Sequence, residues 1–308
     1  MQDASSQHPS PQHGALQDAR FFIFGLGFSS LAFARRMKGR VGSLAGTVRT
    51  KEKAERLRAA GIDALVFDGH AASDAVREAL GSATHLVQSV APGDHGDPVL
   101  AAFGTGIRAA SGLSWIGYLS TVGVYGDHGG GWVDEATAPR PGSQRARNRV
   151  EAEAAWTALG AERGIPVALL RLAGIYGPGR NTFVNLEDGS ARRLVKPGQI
   201  FNRIHVDDIA AVIEAAAARR ATGVFNVTDD EPAPPQDVVA YAANLAGHPP
   251  LPDIPFQTAD LSPMARSFYA ENKRVGNARL AELGVTLRYP TYRDALTALW
   301  QSGAWRGR

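Results

Sequence analysis

The chain has 308 residues, 44% of them hydrophobic, which is enough for a sizeable core in one large domain or two smaller ones. The 33 basic and 30 acidic residues leave a formal charge of +3, and because they are interspersed they do not indicate a nucleic-acid surface. The absence of cysteine excludes disulfides, thiolate metal sites and cysteine nucleophiles.

The N-terminal segment, "MQDASSQHPSPQHGALQDAR", is polar and lacks the apolar core of a signal peptide. We expect residues 1–19 to be a disordered tail. No apolar run approaches the roughly 18 residues that a membrane span needs. The sequence therefore predicts a soluble cytoplasmic protein that does not associate with membranes.

Strand and helix patterns alternate after this tail. Short apolar runs predict strands in residues 21–24 and in "GSLAGTVRT", "IDALVFDG", "THLVQSVAP", "WIGYLSTVGVYG" and "PVALLRLAGIYGPG", and helical patterns separate them. This alternation is typical of βαβ units, and apolar runs without polar alternation suit strands buried on both faces. We predict an α/β fold with a doubly wound parallel sheet of the Rossmann type.

The pattern is looser beyond residue 180. "DDIAAVIEAAAARR" and "PPQDVVAYAANLAG" predict helices, and "GVFNVTDD" predicts a short strand. We expect a dinucleotide-binding domain over residues 20–180 and a smaller α/β substrate domain over 181–308. Residues 204–220 are expected to pack back on the first domain.

A glycine-containing turn follows the first predicted strand. Gly25, Gly27 and Ser30 occupy the three small-residue positions of G-x-G-x-x-G between a strand and a helix. Such a turn brings backbone N–H groups close to a pyrophosphate at the helix N-terminus. The sequence therefore predicts a dinucleotide site that also includes Phe28 and Ser29.

Arg49 ends the second predicted strand, where an NAD site usually has an acid for the ribose 2′-hydroxyl. Because an arginine suits a 2′-phosphate, we expect NADP in preference to NAD; the alternative is a solvent-exposed arginine. Asp68 is placed to meet the adenine, or else caps a helix. The end of the fourth strand adds three candidate cofactor contacts: Ser89, Val90 and Ala91.

"FGLGFSS", "LSTVGVYGD", "LRLAGIYGPGRN", "IHVDDIA" and "FNVTDDEP" together resemble the extended short-chain dehydrogenase/reductases. That group includes the NAD(P)-dependent nucleoside-diphosphate-sugar epimerases and dehydratases. The resemblance covers about residues 20–300 and implies a nucleotide cofactor and a substrate domain. It also implies cofactor contacts from Ser120, Ala173 and Ile175.

The resemblance implies catalytic roles, but this chain departs from the family at two of them. Thr121 matches the residue that hydrogen-bonds the reacting oxygen. The acid/base tyrosine and its lysine align with Arg145 and Arg149, in the helix start "GSQRARNRVEAEAAW". Arginine is effectively always protonated, so Arg145 cannot replace a phenol. Arg149 can still reach the ribose, and Arg145 is expected near an anionic substrate. The chain therefore resembles an atypical branch that lacks the Tyr-x-x-x-Lys pair.

Other tyrosines could supply the missing proton transfer. Tyr125 and Tyr176 each end a strand expected to face the nicotinamide, although each could also be a packed loop aromatic. "YAENK" at 269–273 reads Tyr-x-x-x-Lys, but it lies far downstream and such a short pattern occurs by chance.

Further polar residues are candidates for substrate binding. Arg180 and Asn181 lie in a glycine-rich loop that could bind a diphosphate, and Arg203 and His205 lie just before a helix. We expect one of Asp207 and Asp208 to cap that helix. No metal site is expected. The run 229–231, Asp-Asp-Glu, is interpreted as a solvated turn.

Two functions remain open from the sequence. One is an NAD(P)-dependent oxidoreductase or epimerase acting on a nucleotide sugar or a related polar small molecule. The other is a non-catalytic dinucleotide-binding module or redox sensor that keeps the fold without the Tyr/Lys chemistry. Fold alone does not decide between them. The protein is expected to be a monomer or a homodimer.

Overall fold

A computed structural model of the chain describes residues 15–71 and 73–307. In the first half, strands and helices alternate in this order: β1 (Arg20–Phe24), α1 (Phe28–Met37), β2 (Ser43–Val48), α2 (Lys51–Ala59), β3 (Asp63–Val66), α3 (Asp74–Gly81), β4 (His85–Gln88), α4 (Pro98–Ala109), β5 (Trp115–Thr121), a 3₁₀ turn (Val122–Tyr125), β6 (Trp132–Val133), α5 (Gln144–Arg163) and β7 (Val167–Leu172).

The second half has shorter strands. Its elements are β8 (Gly174–Tyr176), α6 (Thr182–Glu187), β9 (Arg193–Val195), β10 (Arg203–His205), α7 (Val206–Ala218), β11 (Gly223–Val227), α8 (Pro235–Leu245), β12 (Asp253–Pro255), α9 (Pro263–Phe268), β13 (Arg274–Val275), two 3₁₀ turns (Ala278–Leu283 and Ala304–Arg306) and, between those turns, α10 (Tyr292–Gln301).

Seven parallel strands form the central sheet in the order β11-β7-β5-β4-β1-β2-β3. The chain runs outward from β1 to β3 and then returns to β4 on the other side of β1. This reversal is the topological switch point of a doubly wound sheet, beside which such folds bind ligands. The predicted doubly wound parallel sheet is confirmed.

Helices cover both faces of the sheet. On one face α1, α2 and α7 bury residues that include Phe33, Leu57 and Ile209. On the other, α3, α4 and α5 bury residues that include Val76, Phe103 and Trp156. Both faces of the strands are therefore apolar, which explains their continuous hydrophobic runs.

The second half of the chain contributes to this sheet as well as to its own cluster. Helix α7 packs against α1, and β11 pairs with β7. A separate apolar cluster joins α6, α8 and α10 around Phe183, Tyr292 and Trp305. The division of the chain at residue 180 stays a prediction.

The predicted tail needs one correction. Residues 15–19 form a turn in which the side chains of Leu16 and Ala19 are buried against the sheet core, so this part is ordered. The remainder of the predicted tail, residues 1–14, lies outside the described residues.

Candidate active site

The turn after β1 has a backbone that requires glycine. Gly25 has a φ of +85°, and a Cβ atom there would lie 3.1 Å from Cγ2 of Val90. Its N–H donates to Oγ1 of Thr47 at 2.9 Å, and the N–H of Leu26 donates to the carbonyl of Thr47 at 2.7 Å. These bonds fix the turn against β2.

Helix α1 begins directly after this turn. Gly27 is its N-cap, and the first turn contains no acidic residue. A Cβ atom on Gly27 would meet no atom closer than 4.0 Å, so a ligand can approach the backbone here. Ser30 is buried and donates from Oγ to the carbonyl of Gly25 at 2.8 Å. The helix end therefore presents backbone N–H groups to an open space, which suits an anion.

A cavity of about 460 Å³ adjoins the glycine turn at the carboxyl ends of β1, β2, β3 and β4. It brings together many residues that the sequence predicted as cofactor contacts: Gly25, Gly27, Arg49, Asp68, Ser89, Val90 and Ala91. Residues that the sequence analysis did not name also line it: Leu26, Thr47, Val48, Thr50, Lys53, Phe67 and Gly69. Phe28 is half-buried at the start of α1, whereas Ser29 is buried within it.

Lys53 is the charged lining residue that sequence reasoning missed. It lies in the first turn of α2, which Thr50 caps by accepting from the N–H of Lys53. Its Nζ donates to the carbonyl of Leu26 at 2.9 Å. Partial burial, with nearby Arg49 and Arg56, lowers the pKa of Lys53. A basic residue in the first turn of a helix is unfavourable, and that signal was present in "RTKEK".

Asp68 lies on the other side of the cavity, after β3. Its carboxylate accepts from the N–H of His70 at 2.9 Å, and this backbone bond lowers the pKa of Asp68. The side chain is exposed and ionised, so it can accept hydrogen bonds from a ligand.

The end of β5 carries two hydroxyls that face different surroundings. Oγ1 of half-buried Thr121 accepts from the N–H of Gly123 at 3.1 Å, which leaves its own hydrogen for donation. Ser120 instead donates from Oγ to Glu153 at 2.5 Å. Glu153 in turn forms a buried ion pair with Arg171, at 2.7 Å. The Ser120 hydroxyl is thus engaged in the core, an arrangement that does not support the predicted cofactor contact from this side chain.

The arginines at the start of α5 have separate environments. Ser143 caps the helix, and Arg145 and Arg147 are exposed. Arg149 is half-buried, and its Nη1 donates to the hydroxyl of Tyr118 at 3.0 Å and the carbonyl of Leu119 at 3.1 Å. Arg149 therefore holds α5 against β5, and its predicted contact with the nicotinamide ribose stays a prediction.

The two tyrosines proposed as proton relays are both enclosed by protein. Tyr125 is fully buried and donates from its hydroxyl to Oδ1 of Asn226 at 2.7 Å. The hydroxyl of Tyr176 is buried without a hydrogen-bond partner in the described part of the chain. Burial raises the pKa of both phenols. This placement does not support a proton relay through Tyr125.

Two further predicted cofactor contacts lie beyond β7. Ala173 is buried, and its N–H donates to the carbonyl of Val227 at 3.0 Å. Ile175 is half-buried and packs on the sheet core. Neither is among the lining residues of the 460 Å³ cavity, so their predicted roles depend on a ligand that extends past it.

Arg180 and Asn181 share a loop but differ in surroundings. Arg180 is exposed, and its Cζ lies 5.8 Å from the centroid of the Phe28 ring. Asn181 is buried; its Oδ1 caps α6, and its Nδ2 donates to the carbonyls of Gly177 and Trp305 at 2.8 Å. The predicted role of Asn181 in substrate binding is not supported, because both ends of its amide are occupied.

Arg203 and His205 also pack inward. Nη1 of Arg203 donates to the carbonyls of Phe201 and Ala233. His205 is 1% exposed and lies against the rings of Tyr176 and Tyr289. Burial lowers the pKa of His205 to about 4, so the ring is neutral. These contacts do not support the predicted substrate roles.

Two expectations about acidic residues were wrong. His205, not an aspartate, caps α7 by accepting from the N–H of Asp207, while buried Asp208 accepts from two backbone N–H groups at 288 and 289. Asp229, interpreted as part of a solvated turn, is 1% exposed and its two carboxylate oxygens have no hydrogen-bond partner among the described residues. Burial raises its pKa to about 8.

The "YAENK" segment does not form a tyrosine–lysine pair at the cavity. Tyr269 stacks on Phe256, with ring centroids 4.9 Å apart. Lys273 is buried, and its Nζ donates to the carbonyl of Gly126 and to Glu271, each at 2.7 Å. The segment ties the C-terminal half to the loop after β5.

Comparison with known proteins identifies the family to which this site belongs. The model of the NAD dependent epimerase/dehydratase family matches residues 107–228. The chain belongs to this family. Its match begins in α4, reaches the end of β11 and includes Thr121, Arg145 and Arg149.

Three similar proteins extend this finding. A conserved protein of unknown function from Silicibacter pomeroyi is 48% identical, with a TM-score of 0.83; the match covers 92% of this chain and 99% of that one. A 3-diazoavenalumate denitrifying reductase from a Streptomyces species is 31% identical over 144 residues, 42% of this chain and 45% of the relative. The chloroplastic epimerase family protein SDR39U1 homolog of Arabidopsis thaliana is 28% identical over 199 residues, 59% of this chain and 53% of the relative. The matches thus span about half of the curated relatives.

No helix within residues 15–71 and 73–307 combines the length and hydrophobicity of a transmembrane span. The same residues hold no group of three His, Asp or Glu side chains arranged to bind a metal ion.

Proposed function

We propose that this protein is an NADP(H)-dependent oxidoreductase or epimerase that acts on a nucleotide sugar or a related polar carbonyl or hydroxyl compound. The observation that carries the proposal is the 460 Å³ cavity, which joins the glycine turn to Arg49 and Lys53. A dinucleotide needs both a helix N-terminus for its pyrophosphate and polar groups for its adenosine ribose.

The cavity residues fit the adenosine half of this cofactor. Arg49 is exposed at the end of β2, and Lys53 lies beside it with Nζ on the turn carbonyl. Two cations at this point favour a 2′-phosphate over a free ribose hydroxyl, because an ionised phosphate forms charge-assisted hydrogen bonds. Exposed Asp68 can accept a hydrogen bond from the adenosine.

We assign Thr121 the role at the reacting carbon, on the basis of its family position and its hydroxyl geometry. The bound cofactor would supply or accept a hydride. Because Thr121 already accepts from Gly123, its hydroxyl hydrogen is free to donate to a substrate carbonyl oxygen. Such a donor stabilises the negative charge that develops on that oxygen. With Arg145 at the tyrosine position, proton transfer has to come from water or from the substrate itself.

A non-catalytic binding module is the second candidate, and one observation favours it. Arg145 is exposed, and Arg149 is bonded to Tyr118 and Leu119. The helix face that carries the acid/base pair in the family therefore holds no titratable phenol. A substrate screen separates the candidates: turnover of any carbonyl or nucleotide-sugar compound with NADPH, slowed by Thr121→Val, supports the enzyme. Tight NADPH binding with no turnover across the screen supports the module.

The cofactor proposal is tested by calorimetric titration with NADPH and NADH. We expect NADPH to bind more tightly, and Arg49→Asp to weaken NADPH by about 10- to 100-fold, the range for a lost charge-assisted hydrogen bond plus repulsion. NADH is expected to gain or keep affinity, because the new acid can accept from the 2′-hydroxyl.

Arg58→Ala is the matched control, because Arg58 is an exposed arginine on α2 that does not line the cavity. The affinities of the Arg58→Ala variant for NADPH and NADH should equal those of the wild type. Equal binding of NADPH and NADH before and after Arg49→Asp would refute the assignment of Arg49 to the 2′-phosphate.

A further inference from the structure

Arg180 lies beside the glycine turn although it belongs to the second half of the chain. Its Cζ is 5.8 Å from the ring of Phe28, within the range of a cation–π contact. Phe28 is the first residue of α1 and directly follows Gly27. The loop after β8 therefore brings a guanidinium close to the side chain of the first residue of α1.

This position is electrostatically unfavourable for an unpaired cation. A helix N-terminus carries a partial positive charge, and the first turn of α1 contains no acid to offset it. Within residues 15–71 and 73–307, the Arg180 side chain contacts the Phe28 ring and forms no ion pair with an acidic residue. A guanidinium over the side chain of the first helical residue and the helix N-terminus itself are two positive groups near each other, and an anion could bind both.

The loop that carries Arg180 is held in place by hydrogen bonds. Gly177 and Arg180 exchange two backbone bonds, of 2.9 and 3.0 Å. The carbonyl of Trp305 accepts from the N–H of Gly179 and from Nδ2 of Asn181, both at 2.8 Å. Because the backbone is already fixed, ordering the Arg180 side chain on a ligand costs less conformational entropy.

We propose that Arg180 binds the pyrophosphate of NADP(H) together with the N-terminus of α1. The assignment rests on the proposed function, and it gives Arg180 a role in cofactor binding in place of the substrate-binding role predicted from the sequence. A guanidinium can bind two phosphate oxygens at once, which suits a pyrophosphate beside backbone N–H groups. The cofactor would then bridge residues of the first and second halves of the chain.

The test compares two ligands and two variants by isothermal titration calorimetry. NADPH contains the pyrophosphate, whereas adenosine 2′-monophosphate has the 2′-phosphate without it and is measured as a competitor. Arg180→Ala should weaken NADPH by about 10- to 100-fold, as expected for the loss of charge-assisted hydrogen bonds, and leave the competitor within twofold. Arg147→Ala, which removes an exposed arginine of α5, should change neither.

Three results would overturn the assignment. If Arg180→Ala binds NADPH like the wild type, Arg180 does not contact the pyrophosphate. If both ligands weaken equally, the substitution disturbs the whole cavity. If NADPH is unchanged and binding of UDP is weakened, Arg180 serves the diphosphate of a substrate. A wild-type protein that binds neither NADPH nor adenosine 2′-monophosphate refutes the proposed function itself.

Discussion

The two halves of the carboxyl edge of the sheet are built differently. At β1, β2, β3 and β4 the strand ends frame an open cavity in which Arg49 and Asp68 are exposed. Near the ends of β5, β7 and β11 the charged groups are buried: Glu153 of α5, Arg171 within β7 and Asp229 after β11. Charged residues thus lie near strand ends on both sides, but those on one side face a ligand space and those on the other face protein.

This difference shows that a charged residue near a strand end can either face a ligand space or be buried within the protein. Asp68 follows β3 and Asp229 follows β11, yet the pKa of Asp68 is lowered by a backbone bond while burial raises the pKa of Asp229 to about 8. We call the two regions the open half and the covered half. Substitutions of charged residues in the open half should change ligand affinity, and those of the buried charged residues in the covered half should change stability.

The largest expected effect is in the covered half, at the buried ion pair. Glu153→Ala leaves the guanidinium of Arg171 buried without its partner and should lower the free energy of unfolding by about 3–5 kcal/mol. The measurement is urea denaturation followed by circular dichroism. Glu151→Ala, at an exposed position of the same helix, is the control and should change the free energy of unfolding by less than about 0.5 kcal/mol. Equal free energies of unfolding for Glu153→Ala and Glu151→Ala would contradict the division into an open half and a covered half.

Asp229 provides a pH-dependent test of the covered half. Its pKa is about 8 in the folded protein and about 3.9 when unfolded, so the folded state holds an extra proton between these values. Stability therefore falls as pH rises through this window, by up to roughly 1.4 kcal/mol per pH unit. From pH 5 to pH 7 the loss should be roughly 2–3 kcal/mol.

Asp229→Asn removes the titrating group, so the profile of this variant should lack the slope, and the difference between wild type and variant should show it. Asp230→Asn changes the exposed neighbour and should keep the slope. The free energy of unfolding is measured at half-unit steps from pH 5 to pH 8. Parallel profiles of wild type and Asp229→Asn would show that Asp229 is ionised in the folded protein.

Lys53 belongs to the open half, so its substitution should change ligand affinity more than stability. Lys53→Ala removes one cation from the proposed 2′-phosphate site and should weaken NADPH about tenfold, with a change of less than about 1 kcal/mol in the free energy of unfolding. Lys51→Ala, an exposed lysine on the same turn, should leave both values unchanged. A stability loss without an affinity loss would assign Lys53 to the packing of α2 on the glycine turn.

The open half could be predicted from sequence because its features are local. The glycine turn, the strand it follows and Arg49 at the end of the next strand all lie within one βαβ unit, where backbone geometry fixes their relative positions. The structure brings these residues to one cavity. Lys53 was not predicted because it lies in the first helical turn after β2 and not at the strand end, where the dinucleotide-binding motif places its ribose contact.

The covered half could not be predicted because its contacts join distant parts of the chain. Asp229 lies near the charge of Arg203 in β10, and Asn181 donates a hydrogen bond to the carbonyl of Trp305, 124 residues away. A run of acids gives no local signal of burial, since solvated turns have the same composition. Only tertiary packing distinguishes a buried acidic residue from one in a solvated turn.

The contact between α1 and α7 has a consequence for synthesis on the ribosome. The apolar side chains of Phe33, Ala34 and Met37 on α1 share a core cluster with α7, and Glu214 of α7 pairs with Arg36 and Arg40. Helix α1 ends at residue 37 and α7 begins at residue 206. At a synthesis rate of roughly 5–20 residues per second, α7 is synthesised on the order of ten to thirty seconds after α1. During that interval the nascent chain exposes an apolar helix face that a chaperone could protect.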